Sequence, residues 1–231
     1  GTVVGVFNPQ ITIAYAEDNT ENLVKIIKSC NRILIFIMSI PIAFLTAYGR
    51  DFYAMWQPTK DADMLQRLSL LAVGVLYVSM SIQVLYHVFI ITKKVKWNSL
   101  VILGSGVLSS CLSLLLLKTT DLGVMVFPLS SMLTGLLRNL IFTPIYAARC
   151  LKIRWNRFYG DILLGWISIG SIVILGNLSR MVFPVDSWIK LILTGVIMGP
   201  LALALNFLII LRKEEREMVI GMLKSRLKGA K

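Results

Sequence analysis

One arginine stands apart from every other charge in this chain. Arg138 lies near the middle of the apolar run Val124–Ala148, 11 residues before Arg149. At 1.5 Å per residue that is about 16 Å along a helix, too deep to snorkel easily to an interface. An arginine at that depth in a bilayer is costly, so it faces a water-filled cavity or a partner. Ser131 and Thr134, at i−7 and i−4, fall on the same expected helical face. Together they form a polar stripe ending at a cation. Such a stripe suits an anion, for example a phosphate, which a guanidinium contacts bidentately. A structural reading competes with it: an arginine bonded to carbonyls of a helix kinked near Pro144.

Ser79, Gln83 and His87 make a second stripe, spaced i, i+4, i+8, with Tyr86 beside it. On a regular helix they would line a cavity wall that hydrogen-bonds sugar hydroxyls, or they would bond to a neighbouring helix. Other chemistry finds little support. Catalysis by paired carboxylates or by a nucleophile with a base needs convergent groups. All twelve acidic residues fall in connectors, in the tail or at a span edge, as Asp161 does, and His87 is the one histidine. No GxSxG, HExxH or P-loop occurs. Cys30, Cys111 and Cys150 form no CxxC or Cys/His cluster and read as small apolar fillers. No enzyme, metal or cofactor is expected.

The elements that must hold these residues follow from composition. Of 231 residues 56% are hydrophobic and 16% charged, and mean hydropathy is +0.76. That excludes a disordered chain and leaves too little polar sequence to clothe a soluble core. Apolar runs recur at the length that crosses a bilayer as a helix. We expect an all-α polytopic transmembrane bundle: one truncated run, Thr2–Ala16, then a polar stretch, Glu17–Arg32, and six complete spans. The spans are Ile33–Tyr48, Leu68–Ile91, Ser99–Leu117, Val124–Ala148, Ile162–Phe183 and Leu191–Leu211. The bundle occupies 1–211 and a basic tail 212–231.

Net charge is +12, but the basic residues sit at span ends, so no nucleic-acid partner is invoked. Connectors on one side, with the tail, hold 17 Lys and Arg against 6 on the other. The positive-inside rule then makes the tail cytoplasmic, together with the connectors after Ala16, Ile91 and Ala148. Trp56, Trp97, Trp155 and Trp188 fall near span ends, as an interfacial belt requires. Met218, Met222, Leu223 and Leu227, interleaved with Lys224, Arg226 and Lys228, read as an amphipathic interfacial helix or a solvated one. Ser105, Ser109 and Ser113 with Gly104 and Gly106, and the pair Gly195/Gly199, are expected to mark close helix contacts. Pro41 and Gly199-Pro200 are expected kinks.

Several segments resemble bacterial polysaccharide flippases, in the superfamily that also holds multidrug and toxin extruders and lipid II flippases. Phe7-Asn8-Pro9-Gln10-Ile11 and Ala14-Tyr15-Ala16-Glu17-Asp18 resemble the end of a core helix of that family. Lys25 to Arg32 followed by Pro41 resembles its next connector and span. The stretch from Arg138-Asn139-Leu140 to Tyr146-Ala147-Ala148 resembles exporters of the polysaccharide synthase type. The resemblance implies two bundles of six helices, sometimes with two more, of which this chain would be the C-terminal part and the N-terminal bundle its absent partner. It also implies non-enzymatic movement of a lipid-linked sugar across the bacterial inner membrane by alternating access, with membrane lipids as surroundings. Arg138 would then contact the pyrophosphate head group, with Thr134, Gln83 and Ser79 as polar neighbours. The alternatives are a cation-coupled drug extruder, which needs an acid near the midplane, a membrane-embedded glycosyl- or acyltransferase using Asp161 and His87, and a scaffold subunit.

Overall fold

The computed structural model describes residues 2–217 and 220–221. Six stretches in it are long and apolar enough to cross a membrane: Thr20–Trp56, Ala62–Ser79, Val95–Thr119, Gly123–Cys150, Tyr159–Val182 and Trp188–Ile209. The fold is an all-α polytopic bundle. The amphipathic pattern expected in the tail falls outside the described residues from Met218 onward, save Ile220 and Gly221.

Helix α1 (Thr2–Ala16) leads into α2 (Thr20–Trp56), which organises the bundle. The Asn19 side chain caps α2 by accepting from the Asn22 amide at 3.0 Å. At 37 residues, α2 is about 55 Å long, against a hydrocarbon core of about 30 Å. Here the polar stretch Glu17–Arg32 departs from expectation: only Glu17–Asn19 form the connector, and the charged residues that follow continue the span as a helix beyond the bilayer. Helices α9 (Tyr159–Val182) and α10 (Trp188–Ile209) pack against α2, α9 most extensively. Both α2 and α10 run unbroken through Pro41 and Pro200.

The span expected at Leu68–Ile91 is broken into α3 (Ala62–Val73), α4 (Leu76–Ser79) and α5 (Leu85–Ile91). Around the breaks the backbone stays bonded, at several positions to the third residue back and at Ser79 and Met80 to the fourth. The amides of Val78, Ser81, Ile82 and Leu85 donate to the carbonyls of Val75, Val78, Ser79 and Ile82 at 2.9–3.2 Å. This tighter winding satisfies polar groups that lipid cannot.

After α6 (Val95–Thr119), the Arg138 span is also interrupted. It consists of α7 (Val126–Leu137), a wide turn over Arg138–Phe142 and α8 (Thr143–Cys150). In the wide turn the Thr143 amide donates to the Arg138 carbonyl, five residues back. Pro144 explains the widening. It has no N–H for the Leu140 carbonyl, and its ring would clash there in a regular helix. The phenol of Tyr159 takes that carbonyl instead, at 2.7 Å.

Three connectors share one turn design. Asp18, Lys93 and Lys152 have positive φ of 54°, 56° and 55°. In each case the following amide reaches back five residues: Asn19 to Ala14, Lys94 to Phe89 and Ile153 to Ala148, at 2.9–3.3 Å. This closes the end of a helix in a tight turn. All three lie at one end of the bundle. The Tyr146 hydroxyl donates to the Lys94 carbonyl at 3.2 Å, and Arg32 pairs with Glu215 at 3.2 Å. The far end is tied by Arg180–Asp51 at 3.0 Å, Arg50–Asp63 at 2.6 Å and Phe52 against Trp188. The two sets of connectors that the basic residues distinguish are therefore two opposite ends of the molecule.

Close helix approach occurs at other glycines than expected. A Cβ on Gly176 would lie 2.8 Å from Ala47, and one on Gly135 would lie 2.7 Å from Val75. Gly104, Gly106 and Gly199 have nothing within 4 Å, and Gly195 meets only the Phe44 ring at 3.8 Å. Helix α6 presents most of its surface outward, with Ser113 and Asn98 its buried residues.

Candidate functional site

The wide turn puts Arg138 and Asn139 at the junction of three spans. Arg138 Nε donates to Asn139 Oδ1 at 3.1 Å and Nη1 donates to Ser105 Oγ on α6 at 3.3 Å. Asn139 is 1% exposed. Its Nδ2 donates to Ser79 Oγ at 2.7 Å, and its Oδ1 also accepts from the Tyr86 hydroxyl at 3.2 Å. One amide thus binds the guanidinium on one side and the two halves of the broken span on the other. An amide buried without partners would cost several kcal/mol, so this node holds all three spans at that depth.

Among the described residues Arg138 has no carboxylate within 4 Å. Its Nη2 has no hydrogen-bond partner there either. The structural reading of Arg138 as a donor to carbonyls of a kinked helix is not what the geometry gives. The carbonyl that Pro144 leaves free goes to Tyr159, and the guanidinium donates to side chains.

The expected stripes are only partly realised. Ser131 is exposed and faces Ser109 Oγ at 3.3 Å. Thr134 is buried, and its hydroxyl donates to the Ser130 carbonyl of its own helix at 2.9 Å. Neither bonds to Arg138. Of the second stripe, Ser79 joins the node through Asn139. Gln83 is exposed, and His87 is half-buried with Nε2 unpartnered among the described residues. The cause is the tighter winding. At about three residues per turn, i and i+4 lie some 120° apart, so the spacing that aligns residues on an α-helix separates them here. Asp161 and His87 do not converge in a bonded pair, since Asp161 is held by Asn31 at 3.2 Å.

Asn139, Tyr86 and Ser105 complete the node, and Asn139 is the one that sequence reasoning passed over. Its signal was present, since a second strongly polar residue beside Arg138 doubles the polar load at one depth. A separate node forms around Asn206, fully buried, which accepts from Ser168 Oγ and donates to Ser39 Oγ, each at 2.7 Å. It ties α10 and α9 to α2. Two cavities lie elsewhere. An apolar groove of about 490 Å³ runs between α2 and α10 beside Phe44, Tyr48, Gly195 and Gly199. A polar cavity of about 290 Å³ opens at the basic end. Among the described residues no group of three or more His, Cys, Asp or Glu could hold a metal.

No family model and no solved structure matches the chain. The chain is 26% identical over 227 residues to an uncharacterized membrane protein, EpsK, of Bacillus subtilis (strain 168). That match takes in 95% of this chain and 43% of the relative, so the chain spans less than half the relative's length. Six spanning helices and similarity to a membrane protein together identify a multi-pass membrane protein.

Proposed function

We propose that the chain forms part of a transporter that carries a lipid-linked oligosaccharide or polysaccharide precursor across the bacterial inner membrane by alternating access, without enzymatic conversion or a cofactor. The observation that supports this most is the state of Arg138. It is a half-buried cation in mid-span with no carboxylate partner among the described residues and one nitrogen unbonded. The Ser105 hydroxyl and the Asn139 amide bond to it, and the hydroxyls of Ser79 and Tyr86 bond to that amide. A phosphorylated sugar matches that set, because a guanidinium takes phosphate oxygens bidentately while hydroxyls and amides exchange bonds with sugar hydroxyls. A cation-coupled extruder is less well supported, since among the described residues no carboxylate accompanies the arginine. Sugar-lipid chemistry enters through the sequence resemblance. The bias of basic residues assigns the end with the three matching turns to the cytoplasm.

The test is polymer export by the whole protein containing this chain, compared at matched membrane abundance. Arg138→Lys should keep part of the activity, because it keeps a point charge. Arg138→Gln should lose about tenfold or more, the equivalent of one charge-assisted bond. Wild-type export by Arg138→Gln would overturn the anion-binding role.

A further inference from the structure

At the end of α2 that projects beyond the bilayer, charged residues recur at helical spacing. Glu21, Lys25, Lys28 and Arg32 share one face, three to four residues apart. That face forms one wall of the polar cavity at the basic end. Arg157, on the connector before α9, and Arg212, just after α10, close it.

Five cations and three carboxylates line the cavity, an excess of two positive charges. Two of the cations are already paired: Lys25 with Glu214 at 2.9 Å and Arg32 with Glu215 at 3.2 Å. Lys28, Arg157 and Arg212 form no ion pair among the described residues, and Glu21 is the one carboxylate left over. Arg32 adds a sharper sign. Its side chain is 5% exposed, yet among the described residues its buried Nε has no hydrogen-bond partner. A buried donor on a guanidinium is expensive to leave unmade, and this one belongs to a residue lining a cavity rich in unpaired cations.

The cavity also sits at the ends of the spans, where the chain leaves the apolar bundle. Ile210 and Leu211, immediately before Arg212, are each 2% exposed within the bundle. Trp155, two residues before Arg157, is 62% exposed, as an interfacial tryptophan is. We propose that this cavity binds the phosphate of an anionic phospholipid from the leaflet at the basic end. The lipid phosphate meets Arg32 Nε, and Lys28, Arg157 and Arg212 supply the charge. Basic pockets between spans on the cytoplasmic side are suited to such head groups. A choline head group brings its own cation and gains little from the excess charge. The site is apart from Arg138, so it stands or falls independently of the transport reading.

The experiment titrates the whole purified protein in neutral detergent with phosphatidylglycerol or phosphatidylcholine and reads bound lipid by native mass spectrometry. Arg157 and Arg212 are exposed, so their double glutamine variant should fold, whereas an Arg32 variant removes a buried ion pair. Phosphatidylglycerol should bind more tightly than phosphatidylcholine. Arg157→Gln/Arg212→Gln should weaken it by roughly tenfold or more, as two near-surface cations imply. Lys93→Gln/Lys94→Gln, which removes equal charge from a neighbouring connector, should leave it unchanged. Millimolar inorganic phosphate should not displace it. Equal binding of the two lipids, or equal loss in the control pair, would overturn the site in favour of diffuse attraction. Displacement by inorganic phosphate would make it a free-anion site and would also overturn the lipid assignment.

Discussion

Asn139 does what Arg138 cannot do for itself: it carries a positively charged neighbour and bonds to the broken span at once. Ser79 and Asn139 share one 2.7 Å bond. Side-chain bonds between membrane helices average roughly 0.6 kcal/mol and reach about 1.7. Asn139→Ala should therefore destabilise by about 1–2 kcal/mol, since it removes three bonds, and Ser79→Ala by less. The double variant should cost less than the sum, because the shared bond can be lost only once. Reversible unfolding in bicelles would measure this cycle, and strictly additive losses would mean that the two side chains do not meet. Arg138 was legible because a charge within an apolar run is anomalous on composition alone. Its partners were not, because a polar side chain states its need for a bond and not who supplies it.

The wide turn is an arrangement of elements, in which Pro144 frees the Leu140 carbonyl and Tyr159 takes it at 2.7 Å. Tyr159→Phe should leave that carbonyl without a partner, at a cost of about 1–3 kcal/mol in a dry interior. Restoring an amide with Pro144→Ala should reduce the damage, because the helix can then bond the carbonyl itself. Unfolding midpoints of the two single variants and the double variant decide the matter. A loss in Tyr159→Phe that is the same in both backgrounds would show that the phenol acts elsewhere. At this scale the expected spans were right in number, and the breaks within two of them were not visible. Hydropathy reports that a segment is apolar enough to cross. It is blind to whether the winding takes three, four or five residues per bond, which neighbouring spans decide.

For the whole molecule, the opposed ends carry the topology. Lys94 meets Tyr146 through its carbonyl, and Arg154 lies on the connector just beyond the turn at Lys152. Cysteines placed at Lys94 and at Arg154, in a background without Cys30, Cys111 and Cys150, should therefore label alike. Both should react only after permeabilisation, and one at Thr59 should react in intact spheroplasts. Reaction of Lys94 and Thr59 from the same side would break the assignment of ends, and the reverse pattern would invert it. Acid below the ordinary carboxyl range should loosen the exposed pair at the basic end, read as a fall in the unfolding midpoint that Glu214→Gln abolishes. The Lys25 ammonium, by its hydrogen bond, holds the Glu214 carboxyl below its ordinary range, so this contribution is present above that range and lost as the carboxyl protonates.

Composition and periodicity alone determined that this chain is an all-α membrane protein with six complete spans, which ends belong together, and that Arg138 is out of place. These are sums over many residues, and the bilayer rewards them whatever the neighbours are. The tertiary structure alone decided that Ser131, Thr134, Gln83 and His87 do not bond to Arg138, that Asn139 and Ser105 do, and that Tyr86 and Ser79 bond to Asn139. It also placed Glu215 on Arg32, 183 residues away in the chain. Which polar groups meet depends on local changes of helical pitch and on which spans pack together. In a bilayer an unpaired buried group is costly enough that small shifts of winding settle the pairing.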